Sequence, residues 1–231
     1  MCGAAPDPDR HRILLGKKGA EHRPAGIRAE SKHGMKLTIR SKRRTDSRTL
    51  KNRDEIYLPR ASEELVGLIR AKTENLFETR QLFCSEAVLF VLNQGLGGGL
   101  PPETAINLAS CFGEGMGGAG CLCGAASGAL MTIGLFLGPG QSSKKVRDKG
   151  REFHDIFRSE FGAVCCRILK KKARDDRKGL FRQCMTQTGA AAELAARMIL
   201  MERPELAEHA DRDFLEIRDS KLMAALKRPF K

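Results

Sequence analysis

Sulfur is the reactive element this chain supplies in quantity. Its 231 residues include eight cysteines: Cys2, Cys84, Cys111, Cys121, Cys123, Cys165, Cys166 and Cys184. A thiolate is both a nucleophile and a soft metal ligand, so the set points to thiol–disulfide exchange or to metal or cluster ligation. The spacings exclude several standard sites. No Cys-x-x-Cys occurs, which removes a thioredoxin-type pair, and no Cys-x-x-Cys-His occurs, which removes covalent c-type haem. The close pairs are Cys121-x-Cys123 and Cys165-Cys166, neither of which is zinc-ribbon spacing. In the core region the histidine nearest a cysteine is His154, eleven residues before Cys165. Ser127 is not in a Gly-x-Ser-x-Gly elbow, and no glycine-rich loop carries the lysine that phosphate binding needs. Four distant positions remain: Cys84, Cys123, one of Cys165 and Cys166, and Cys184.

Cys123 lies in the segment richest in information. From Cys111 to Gly138 the one charged residue is Glu114. The glycines up to Gly120 are too dense for a helix and predict a loop. Gly124–Leu137 is apolar enough for a buried helix. Cys123 therefore stands where a loop enters a helix, and unpaired N–H groups there favour a thiolate. Gly124 and Gly128 leave room beside it for a partner backbone or a second sulfur. No bulky side chain follows until Leu130, so Cys123 is expected to ionise and react first, with Cys121 its rival in the same loop. Cys84 sits at or just before another helical start. Cys111 is read as a small buried hydrophobe.

The elements that must position these thiols are helical. Residues 1–58 read as a basic, disordered arm: residues 1–60 hold 16 Lys/Arg against 7 Asp/Glu, with no steady apolar period. The other 171 residues hold 25 against 21, so the overall +13 describes mostly the arm. That argues against a specific nucleic-acid partner for the body. A helix opens at Ser62, read as its hydroxyl cap, and runs to about Arg80. Others cover Ser85–Gln94, Pro101–Cys111, Gly124–Leu137, Lys144–Phe161, Ala190–Met201 and Phe214–Leu226, with a short element from Cys165 to Leu169. No strand-like alternation occurs. The fold class is all-α: a compact helical bundle in which a glycine-rich loop leads into a buried central helix. The cysteine-bearing domain is placed at 59–203 and a C-terminal helical extension at 204–231. The apolar run of about 14 residues falls short of the ~20 of a membrane span. With no secretory signal opening the chain, and cysteines sparser than in small secreted scaffolds, a reducing, cytoplasmic location is expected.

The cysteines in order, with Cys123-Gly-Ala-Ala-Ser-Gly128 and Cys166-Arg-Ile-Leu169, resemble the redox-active family named for a C…CGAxxG…C…C pattern. The resemblance spans about Leu65 to Leu200 and selects Cys84, Cys123, Cys166 and Cys184, with Cys121 and Cys165 as secondary candidates. It implies a small helical protein whose chemistry is carried by sulfur, without a known substrate. Two function classes stay open. One is a thiol–disulfide or electron-transfer protein, an enzyme if it is an oxidoreductase, acting on an unidentified redox partner. The other is a zinc or iron–sulfur protein with the same four thiolates as ligands. A non-catalytic helical interaction module is a third, and self-association stays open.

Overall fold

The computed structural model describes residues 58–171 and 176–221. Apart from Leu58, the arm read at 1–58 lies outside the described residues, as do residues 222–231. The described chain is helical, and its one β-type pairing is an isolated bridge between Leu122 and Cys165.

Helix α1 (Arg60–Glu78) buries Leu65, Val66, Ile69, Thr73 and Leu76, the i, i+3/i+4 stripe that an amphipathic helix presents to a core. Ser62 is not its cap, as the sequence reading had it. The helix opens two residues earlier, after Pro59, whose carbonyl accepts the Ser62 and Glu63 N–H groups, and Ser62 itself is buried. Helix α2 (Cys84–Gly95) is closed at its start by Glu86, whose carboxylate accepts the Phe83 N–H at 2.8 Å. Proline at the first position starts α3 (Pro102–Ser110), where a missing N–H removes no helical bond. A four-residue turn, α4 (Gly113–Met116), precedes α5 (Gly124–Leu137). Helix α5 is the central one: Ala125, Ala129, Ile133 and Phe136 face a core shared with α2 and α8 (Arg177–Glu202). Helix α6 (Ser143–Phe161) lies on α5 through Phe153 and Phe157 and stops at Gly162, whose φ of 80° suits a residue without Cβ. A short α7 (Cys166–Lys171) follows.

Two elements differ from the sequence reading. Helix α8 begins thirteen residues before Ala190, capped by Asp176, so Cys184 is helical rather than in a connecting stretch. The last helix is α9 (Arg212–Glu216), not Phe214–Leu226: Ile217–Ser220 are non-helical, and Leu222–Leu226 lie outside the described residues. The reason is a competing tertiary use of the backbone. Ile217 and Asp219 give their carbonyls to Lys72 Nζ and Asn75 Nδ2 of α1, and the Asp219 N–H donates to Asn75 Oδ1. Across the other face of α1, Arg70 pairs with Glu193 at 2.7 Å, and Arg197 pairs with Glu63. These half-exposed pairs add little free energy each but fix α1 in register with the helix that bears Cys184. No helix among the described residues is long and apolar enough to cross a membrane.

Candidate functional site

Three helix N-termini meet around sulfur. Cys84 is the first residue of α2, Cys123 immediately precedes α5, and Cys166 is the first residue of α7. Backbone bonds between two short segments bring the last two together. The Cys166 N–H donates to the Cys121 carbonyl at 2.6 Å, Arg167 N–H to Gly120 at 3.0 Å, and Cys123 N–H to Val164 at 2.8 Å.

Three glycines make the close approach sterically feasible. A Cβ on Gly124 would stand 2.4 Å from the Cys84 sulfur and 2.8 Å from the Phe112 carbonyl oxygen. A Cβ on Gly128 would stand 2.6 Å from the Ser85 carbonyl oxygen, so this position sets the distance between α2 and α5. The room read into the sequence beside Cys123 is thus filled by a sulfur at Gly124 and by backbone at Gly128. At Gly115 a Cβ would fall 2.5 Å from that of Cys166, and the φ of 80° there favours glycine independently.

The glycine-rich loop is more ordered than its composition suggests. Glu114, Gly115, Met116, Gly117 and Gly118 all have positive φ, at 54°, 80°, 63°, 64° and 86°. Glu114 and Met116 carry a Cβ in this region, a strain of about 1–3 kcal/mol per residue. The Glu114 N–H in this turn favours the Cys84 thiolate. Sequence reasoning missed Glu114, because a left-handed run gives no signal beyond its glycines.

Burial dominates the electrostatics. It pushes the Cys123 thiol up to about 12, against which the Ala125 and Ala126 N–H groups act only partly. Ionised Cys84 and Cys166 would raise it further. This corrects the expectation that Cys123 ionises first. The helix N-terminus is there, but Cys123 is buried, and desolvating a thiolate outweighs two N–H donors. Burial likewise lifts Cys184 to about 11, while the Lys170 ammonium pulls it down. Cys84 and Cys166 are raised for the same first reason. For Cys84 the Glu114 and Ser85 N–H groups and Lys170 oppose burial; for Cys166 it is Lys170. Each of Cys123, Cys166 and Cys184 feels the charge of Cys84, so the structure brings these four thiols into one electrostatic neighbourhood. Lys170, half-buried in α7, was invisible in a lysine-rich stretch.

A pH dependence follows. A thiol whose folded pKa lies above its ordinary value near 9.0 stabilises the fold fully below that value, and the contribution is lost as pH rises toward the folded pKa. Stability in reducing buffer is therefore expected to fall from about pH 9 upward, by a few kcal/mol through Cys123 alone at about 1.4 kcal/mol per pKa unit. Melting curves between pH 8 and 10.5 check this: Cys123→Ala should flatten the decline, and an unchanged slope in that variant would refute it.

The remaining thiols lie apart in character. Cys121 is exposed; Cys165 is buried, and its Sγ donates to the Gly120 carbonyl at 3.3 Å. Cys111, expected to be buried, is exposed at the end of α3, because that helix packs through Ala105 and Ala109 instead. Cys2 lies outside the described residues. All seven described cysteines are free thiols. Among the described residues, no three His, Cys, Asp or Glu side chains are grouped as ligands for a metal ion.

Helices whose N-termini gather thiols define a sulfur-centred, all-α class of protein. The family described as "Putative redox-active protein (C_GCAxxG_C_C)" matches residues 82–198, just over half the chain, and this chain belongs to it. Where that pattern reads Gly-Cys before Ala-x-x-Gly, the chain reads Cys123-Gly124 before Ala125-Ala-Ser-Gly128. No curated protein and no solved structure matches the chain.

Proposed function

We propose that the protein is a thiol–disulfide oxidoreductase in which Cys84 attacks and Cys123 resolves, working in a reducing compartment such as the cytoplasm. One observation carries this reading: the Cys84 sulfur lies against Gly124, at the residue next to Cys123, where nothing larger than glycine fits. Cys84 is partly exposed, and the Glu114 and Ser85 N–H groups and Lys170 favour its thiolate against burial, whereas Lys170 alone does so for Cys166 and Cys184.

The chemistry balances without a cofactor. The Cys84 thiolate attacks one sulfur of a substrate disulfide, the substrate S–S bond breaks, and one substrate thiolate leaves. Cys123 then attacks the Cys84 sulfur of the mixed disulfide and releases the second substrate thiolate. Two electrons pass to the substrate, and the protons from Cys84 and Cys123 end on its two thiols. Once Cys84 is in a mixed disulfide its charge is gone, which removes one of the influences that hold Cys123 protonated.

Exchange between the reduced chain and a neutral small disulfide, bis(2-hydroxyethyl) disulfide, tests the roles. In a chain whose exposed Cys111 and Cys121 are replaced by Ser, Cys84→Ser should abolish exchange, whereas Cys123→Ser should accumulate a mixed disulfide at Cys84, read by mass. Exchange that persists in Cys84→Ser would overturn the assignment. Visible absorbance from a bound cluster in the isolated protein would overturn the class.

A further inference from the structure

The surface around the thiols carries two features that the exchange chemistry does not use. The first is apolar. Phe83, Met116 and Ile168 are exposed by 55%, 50% and 57%, and each lies beside a residue of the site. Phe83 precedes Cys84 and packs on Gly113, Met116 follows the Gly115 that touches Cys166, and Ile168 stands two residues from Cys166 on α7. Each therefore puts an exposed apolar side chain next in sequence, or nearly so, to a residue of the site, and aromatic, Met and aliphatic side chains of this kind supply the apolar part of protein contact surfaces.

The second feature is charge. Residues 165–184 hold 8 Lys/Arg against 2 Asp/Glu, a net +6. Residues 61–231 together carry +4, so everything else in that body sums to −2. The positive charge of the body is therefore concentrated on the segment that contains Cys165, Cys166 and Cys184. Within it Lys170 acts on three of the four thiols, Arg167 lies along the loop with its guanidinium on the Ala119 carbonyl at 2.9 Å, and Lys171, Arg177 and Lys178 are exposed.

We infer that this collar docks a protein partner whose disulfide is flanked by acidic and apolar residues. The inference rests on the thiol–disulfide reading and adds the substrate class. The basic rim steers and orients an acidic surface, and the exposed apolar side chains favour a macromolecular contact over a small anionic disulfide.

The test uses the reduced full chain and three probes: a disulfide-linked peptide dimer with Asp, Glu and Phe around its cysteine, the same dimer with Lys for the acids, and bis(2-hydroxyethyl) disulfide. The acidic dimer should exchange about tenfold faster than the basic one at low salt, the ratio closing toward unity near 0.5 M salt as screening shortens the field. Lys171→Gln with Lys178→Gln should shrink the ratio several-fold, and Ile168→Ser should slow the acidic dimer. Neither variant should change the neutral reaction. Equal rates for the two dimers, with the neutral disulfide reacting normally, would overturn the docking surface and leave the oxidoreductase standing. An acidic preference indifferent to Ile168→Ser would overturn a protein partner in favour of a small anion. No exchange with any probe would overturn both readings.

Discussion

In the native protein near pH 7.4, iodoacetamide should modify Cys123 about fiftyfold or more slowly than it does in the unfolded chain. The magnitude follows from two opposing effects. Burial raises the thiol from its ordinary value near 9.0 to about 12, which lowers the thiolate fraction about a thousandfold. A more basic thiolate is also a better nucleophile, and a Brønsted slope of about 0.4–0.5 returns roughly half of that loss on a logarithmic scale. About fiftyfold survives, and the exclusion of reagent from a buried sulfur multiplies it. Cys111 and Cys121 are exposed and should label early without bearing on function. The informative comparison is Cys84 against Cys123: Cys84 is partly open and has N–H donors and an ammonium acting on it, so its peptide should appear before that of Cys123. Labelling of native Cys123 within a few-fold of the unfolded rate would show that the site opens readily. It would also return the attacking role to the residue that the sequence favoured.

That reversal shows where sequence reasoning reaches its limit. The position of Cys123 at the mouth of a buried helix was legible, because glycine density ends where the apolar run begins, and the structure places the residue directly before Gly124. Gly124 and Gly128 were legible as room for something. The state of the thiol was not, since it depends on what covers the helix end. The covering is supplied by α2, by α7 and by a turn in which Glu114 and Met116 adopt positive φ, and none of these leaves a local mark.

The first half of α8 was hidden for a related reason. In sequence, Arg177, Lys178 and Gly179 close a polar stretch that begins at Lys170 and carries no helical period. Yet Asp176 caps the helix at the Lys178 N–H, and Phe181 stacks on Phe77 of α1 with ring centroids 5.2 Å apart. Further along, Gln187 and Thr188 are buried despite being polar, and the Thr188 hydroxyl donates to the Cys184 carbonyl at 2.7 Å. A single amphipathic stripe is absent, so periodicity could not announce the element that delivers Cys184. Similarly, Lys170 gains its role from three thiols distributed over a hundred residues of sequence, not from its neighbours in the chain.

The sharpest test of the assembled site is Gly124→Ala. By helix propensity alone the substitution should stabilise α5, by up to about 1 kcal/mol. The new methyl would instead occupy the space of the Cys84 sulfur, 2.4 Å away, and press on the Phe112 carbonyl at 2.8 Å. Overpacking of this kind destabilises by about 1–3 kcal/mol, so a net loss near 2 kcal/mol in denaturant unfolding is expected. The cause can be isolated. In a Cys84→Ala background the sulfur is absent while the Phe112 carbonyl stays, so the penalty should shrink by about 1 kcal/mol, a coupling well within the range of contacting residues. Cys111→Ala, which removes an exposed side chain and leaves the Phe112 carbonyl in place, should give no coupling. If Gly124→Ala destabilises equally with and without the Cys84 sulfur, the clash is with backbone alone. The packing of Cys84 beside Cys123, on which the exchange mechanism stands, would then be refuted by a stability measurement that needs no substrate.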